Sequence, residues 1–219
     1  MQKLSAAGAI RRNRSEWISV EIAPDLVLPG FTLAVEANAA IFAEQDPADF
    51  VYVVISGAVR TSRYLGDGRR QIGAFHLPGD VFGLQCGVSH RFTAEAVVLS
   101  EIAVVTRAAL ERAAERDSAT ARRLWSLTAH ELEVLQDHVR LLSSKSAAER
   151  VGSFLLRLAT RTPSTVVELP MSRGDIADHL GLTLETVSRT FSQLAREETI
   201  DLPSARRVVV RDPHALAAA

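Results

Sequence analysis

Glu185, Ser188, Arg189 and Ser192 lie three, one and three residues apart in the run LETVSRTFSQL, so on a helix they share one face. Their side chains match the needs of base edges. Arginine bonds guanine bidentately, glutamate accepts from the cytosine amino group, and serine bonds several bases. The competing reading is an ordinary helical hairpin with a solvated polar face. Other chemistry is scarce. No HExxH, P-loop, Rossmann or Ser/His/Asp signature occurs, and His130 and His138 have no partner groups nearby in sequence. The chain is therefore not expected to be an enzyme. Its one cysteine, Cys86, excludes a disulfide framework and any multi-cysteine zinc or iron–sulfur site built from one chain.

The elements that must hold the Glu–Ser–Arg face lie in Met171–Leu194, MSRGDIADHLGLTLETVSRTFSQL. Ser172 followed by Asp175 predicts a capping-box helix start. Ile176 and Leu180 give that helix an apolar side. Gly181 supplies the left-handed turn, and Thr183 is the N-cap of a second helix. Val187, Phe191 and Leu194 are its buried stripe. In such a helix-turn-helix the second helix meets the major groove with its first two turns. Upstream, Ser146 and Glu149 predict another capped helix with Val151, Phe154, Leu155 and Leu158 inside and Pro163 as its stop. Val166–Leu169 reads as a strand. Thr199–Leu202 and Arg207–Val210 flank Pro203-Ser204-Ala205-Arg206 as a hairpin wing. Arg206 and Arg207 there are either phosphate contacts or two solvated arginines.

Further upstream, residues 1–20 read as a polar leader, with a short helix near Trp17. From Glu21 to about residue 116, short apolar runs alternate with Pro29-Gly30, Ser56-Gly57, Gly66-Asp67-Gly68 and Pro78-Gly79-Asp80, the pattern of a β sandwich or barrel. TRAALERAAER is a short helix. Asp117-Ser118 then caps a longer helix, 117–144, in which Trp125, Thr128, Leu132, Leu135, Val139 and Leu142 are spaced 3, 4, 3, 4, 3. That is a coiled-coil seam, and a regular exposed stripe of this length predicts a dimer. Ser143–Ser146 is the expected hinge before a DNA-binding region, 145–219.

The chain has 219 residues, 47% of them apolar, with net charge −1, which gives no global pull toward nucleic acid or membrane. From Ser146 onward Lys/Arg and Asp/Glu number nine each. DNA binding then requires Arg173, Arg189, Arg206 and Arg207 to gather on one face, with affinity that falls as salt rises. No secretory signal or transmembrane run is evident, so the expected location is the cytoplasm.

In order these parts are an α+β chain: a β-roll of the jelly-roll type, a long dimerisation helix and a winged helix-turn-helix. The arrangement resembles the CRP/FNR family of bacterial transcription regulators from about Glu21 onward. Glu185-Thr186-Val187-Ser188-Arg189, after Met171-Ser172-Arg173-Gly174-Asp175-Ile176, resembles the FNR/FixK-like branch. The CRP branch has Gly at the Ser188 position and Arg at the Leu184 position. The resemblance implies an activator that reads a palindrome close to TTGAT-N4-ATCAA. Arg189 would read guanine, Glu185 the opposite cytosine and Ser188 an adjacent thymine. Ser172, Arg173, Thr183 and Thr186 would hold phosphates. It also implies RNA polymerase as a partner, with exposed loops such as Leu65–Arg70 as candidate contacts, and genes of microaerobic respiration, denitrification or nitrogen fixation.

By the same resemblance the effector pocket lies at Pro78–Leu84 and Arg91–Thr93. Cyclic-nucleotide binders continue Gly-Glu-Leu and carry Arg-Ser. Here Gly83 is followed by Leu84, and Arg91 by Phe92, so a ribose acceptor and a phosphate donor are missing and cAMP is not expected. The first 85 residues hold no cysteine, which excludes the four-cysteine cluster by which FNR senses oxygen. His76, Cys86 and His90 are residue types that ligate haem, but each reads better as a surface or packed residue. No cofactor is expected. The alternative is a ligand-gated sensor with haem–NO or another small effector in the β-roll.

Overall fold

The computed structural model describes residues 17–85, 87–144, 146–161 and 164–218. Most of the sequence leader, Cys86, Lys145 of the expected hinge, and Pro163 lie outside them. The chain divides into two compact units between Glu133 and Val134.

In the first unit nine strands form two sheets. They are β1 (Ile18–Ala23), β2 (Leu26–Val35), β3 (Ala40–Phe42), β4 (Phe50–Ser56), β5 (Val59–Tyr64), β6 (Arg70–His76), β7 (Val81–Phe82), β8 (Thr93–Ala96) and β9 (Ser100–Thr106). One sheet has the order β1-β2-β9-β4-β7 and the other β3-β8-β5-β6. Alternation along β4 sends Tyr52 and Val54 into a core with Phe31, Phe42, Val59, Phe82 and Ile102, while Val51 and Val53 face a second core with Val20, Leu26, Val105 and Leu110. Helix α1 (Arg107–Arg116) follows, capped by Thr106, and supplies Leu110 to that second core.

Two expectations are corrected. The first strand begins at Ile18, within the stretch read as leader, so the short helix expected near Trp17 does not extend past it, and its remainder lies outside the described residues. Pro29-Gly30 is no turn but lies inside β2. Through Gly30 β2 pairs with β1, and from Phe31 onward with β9. A Cβ at Gly30 would stand 2.7 Å from a Val20 methyl and closer still to the Val104 carbonyl, so glycine here marks a close approach.

Helix α2 (Ser118–Ser144) starts at Asp117, whose carboxylate accepts from the Ala119 and Thr120 amides at 3.1 and 2.9 Å. The boundary between the units falls within this helix, between two and three turns before the expected hinge. Its last turns are built into the second unit: His138 stacks on His179, and the Leu142 carbonyl accepts from Arg150. The second unit continues with α3 (Ala147–Ala159), β10 (Val166–Glu168), α4 (Arg173–Leu180), α5 (Leu184–Arg196), β11 (Ile200–Ser204), β12 (Arg207–Val210) and α6 (Pro213–Ala218). Its small sheet has the order β10-β12-β11, so β11 and β12 make the wing. Among the described residues no helix is long and apolar enough to cross a membrane.

Candidate nucleic-acid interface

The helix-turn-helix forms from local signals. The Ser172 hydroxyl accepts from the Asp175 amide at 3.0 Å, and the Asp175 carboxylate accepts from the Ser172 amide at 3.1 Å, which closes the box on α4. Gly181 ends α4 at φ 63°. The Thr183 hydroxyl accepts from the Thr186 amide at 3.1 Å and starts α5. Val187, Phe191 and Leu194 are buried to 1% exposure or less and seat α5 in the unit.

The opposite face of α5 is open. Glu185, Ser188, Arg189 and Ser192 are all exposed. The side chains of Glu185, Ser188 and Arg189 make no hydrogen bond or ion pair among the described residues, so their bonding capacity is unspent. Ser192 instead donates to the Ser188 carbonyl at 3.1 Å. Ser172 and Thr183 are exposed at the amino ends of α4 and α5, where helix amides favour anions.

The arginines divide. Arg189 points out. Arg173 is half-buried, with its guanidinium carbon 3.1 Å from the Phe191 ring centroid and its Nη1 buried without a hydrogen-bond partner among the described residues. Burial pushes its pKa down to about 10. At the wing, Arg206 Nη1 donates to the Pro170 carbonyl at 3.0 Å, and Arg207 Nε donates to Glu168 at 2.7 Å. Both are exposed but neither is simply solvated, as one sequence reading had it.

Along α2 the seam residues Trp125, Thr128, Leu132, Leu135 and Val139 are exposed, Trp125 at 76%, and Leu142 is half-buried. Among the described residues this apolar stripe is left largely uncovered.

In the β-roll, Gly83 has φ 83°, its carbonyl accepts from Arg107 at 2.9 Å, and a Cβ there would meet the Tyr52 ring at 2.9 Å. Leu84 packs against the second core. Gln85 lies 2.6 Å from His90 Nδ1 and accepts from the Arg91 amide at 3.3 Å. Arg91 and Phe92 are exposed. His90 is buried and stacks on Phe42 at 3.5 Å between centroids, and burial pushes its pKa down to about 4. His76 stacks on Phe82 at 4.9 Å. Both imidazoles are thus members of the aromatic core around Tyr52 and Phe82.

Sequence reasoning missed α6 and the partner of His138. Asp212 before Pro213 is a helix-start signal: its carboxylate accepts from the His214 and Ala215 amides, each at 2.9 Å. The His138–His179 stack, at 4.3 Å between centroids, had no signal in local sequence.

The profile of the Crp-like helix-turn-helix domain matches residues 149–219, and that of the cyclic nucleotide-binding domain matches residues 32–117. The nitrogen fixation regulation protein FixK of Azorhizobium caulinodans is 51% identical over 185 residues, 82% of this chain and 75% of that protein. The transcriptional activatory protein AadR of Rhodopseudomonas palustris is 42% identical over 82% of this chain and 78% of its own. The structure of FixK2 from Bradyrhizobium japonicum superposes with a TM-score of 0.84 at 48% identity, covering 86% of this chain and 96% of that one.

Proposed function

Because this chain belongs to the CRP/FNR family and is a DNA-binding transcription regulator of the FixK type, we infer that it acts as a symmetric dimer on a palindrome close to TTGAT-N4-ATCAA. The observation that carries this reading is the exposed, unspent trio Glu185, Ser188 and Arg189 on a helix whose other face is fully buried. Arg189 reads guanine through its two-pronged donor, Glu185 the paired cytosine and Ser188 a neighbouring thymine. Ser172, Thr183, Thr186 and the wing arginines set the register on phosphate. The exposed seam of α2 is the second support: it needs a cover, and an identical seam supplies one while presenting two recognition helices to two half-sites.

The reading continues to activation, with RNA polymerase met at loops such as Leu65–Arg70, and to genes of microaerobic respiration, denitrification or nitrogen fixation. It calls for no cofactor and a cytoplasmic place of action. What supports independence from an effector is that Leu84, Gln85 and His90 are already engaged with the β-roll's own residues.

The test is binding of purified, ligand-free protein to the TTGAT-N4-ATCAA duplex at fixed salt, beside a duplex with one half-site scrambled. Tight binding that needs both half-sites is the expected result. Equal binding to both duplexes would overturn it.

A further inference from the structure

Arg150 rises from the first turn of α3 and reaches two helix ends at once. Its Nη2 donates to the Leu142 carbonyl, in the last turn of α2, at 2.8 Å. Its Nη1 donates to the Leu180 carbonyl, the end of α4, at 3.0 Å. Carbonyls at helix ends lack intrahelical partners and carry partial negative charge. A guanidinium can satisfy two of them because its donors form a rigid planar fork, and an ammonium lacks that fork. Gly181 lies against both partners, since a Cβ there would make ordinary contact, 3.7 Å, with Arg150 Nη1 and Leu142 Cδ2; its left-handed φ of 63°, which turns the chain after Leu180, is what calls for glycine.

A second tether sits one turn back on α2. His138 stacks on His179 of α4 with 17° between ring planes, and His179 Nε2 accepts from Arg157 at 2.9 Å. One tether alone is a pivot. Two tethers a turn apart on α2, ending on adjacent residues of α4, block rotation. All these groups belong to the second unit, which also holds the seam residues Leu135, Val139 and Leu142.

We propose that Arg150 is a positioning residue for DNA recognition: it fixes the helix-turn-helix to the end of the seam helix and thereby sets the spacer length the dimer accepts. The proposal rests on the dimer-and-palindrome reading above. Arg150 acts through helix ends and not through phosphate.

The test compares full-length wild type, Arg150→Lys and Arg150→Gln on four duplexes: the palindrome, versions with its spacer one base pair shorter and one longer, and a single half-site. Dimer dissociation is measured alongside. Arg150→Lys should keep dimer and single-half-site affinities within about twofold. Its preference for the correct spacer should fall about tenfold or more, the effect of losing charge-assisted hydrogen bonds. An unchanged spacer preference overturns the proposal, and so does an equal loss on every duplex. If wild type prefers no duplex to a scrambled one, the half-site reading fails and the clamp is read without DNA. Spin labels at Gln136→Cys and Gln193→Cys, on Cys86→Ser protein, then report the α2–α5 distance within one chain diluted into unlabelled protein. A narrow distribution in wild type that broadens in Arg150→Lys supports the clamp, and an unchanged distribution overturns it.

Discussion

The Arg173 guanidinium carbon lies 3.1 Å from the centroid of the Phe191 ring, so the first residue of α4 is pinned to the middle of α5. Its charge serves the fold of the helix-turn-helix, where the cation faces the electron-rich ring. Arg173→Gln should therefore destabilise the domain by about 1–2 kcal/mol. It should weaken DNA binding without changing the slope of log affinity against log salt. Arg206→Gln, by contrast, should lower that slope by about one per protomer. Titrations across a salt series decide it, since a lower slope for Arg173→Gln would make Arg173 a phosphate ligand after all.

Arg189 is the opposite case, an exposed arginine with no partner among the described residues. Arg189→Ala should cost about 1–3 kcal/mol per half-site and relax the preference at one base pair. Arg189→Lys should recover affinity for phosphate-dominated, nonspecific DNA but not the base preference, because lysine cannot pair guanine in the same forked geometry. Anisotropy titrations against duplexes substituted at each position of the half-site measure both.

The seam offers a prediction independent of DNA. Leu135 is 50% exposed and Val139 is 64% exposed in the single chain. A charge at either place does little to the fold of one chain but is buried, unpaired, in a dimer. Leu135→Glu should raise the dimer dissociation constant by about a hundredfold or more, the cost of an unpaired charge in an apolar interface. Sedimentation should show monomers with an unchanged melting temperature for the second unit.

The helix-turn-helix was legible because its determinants are neighbours in sequence. Ser172 meets Asp175, Gly181 adopts its own left-handed turn, and Thr183 meets Thr186, so type and spacing suffice. Pro29-Gly30 misled because the reason for that glycine, the Val104 carbonyl and Val20, comes from distant strands. The same holds for Arg150, whose acceptors sit on two other helices, and for His138, whose partner is on α4. The composition count could only set a condition, that four arginines gather on one face; packing, which local sequence does not carry, turned Arg173 onto a ring and paired Arg207 with Glu168.

His90 gives the β-roll a dependence on pH. The ring is 2% exposed, stacked on Phe42, and its pKa is pushed down to about 4, first by burial and then by the charge of Arg107. The unfolded chain has the ordinary histidine pKa of about 6.5, so between these values the unfolded state binds more protons. Stability from the neutral ring is thus complete above about pH 6.5 and drains away as pH falls toward 4. By linkage the loss between pH 7.5 and pH 5 is about 2 kcal/mol for this one group. His90→Phe keeps the aromatic stack and removes the titration. Urea unfolding of the first unit at the two pH values should therefore show the drop in wild type and a drop smaller by about 2 kcal/mol in His90→Phe. Equal drops in both proteins would mean that the ring titrates normally and that its burial carries no proton linkage.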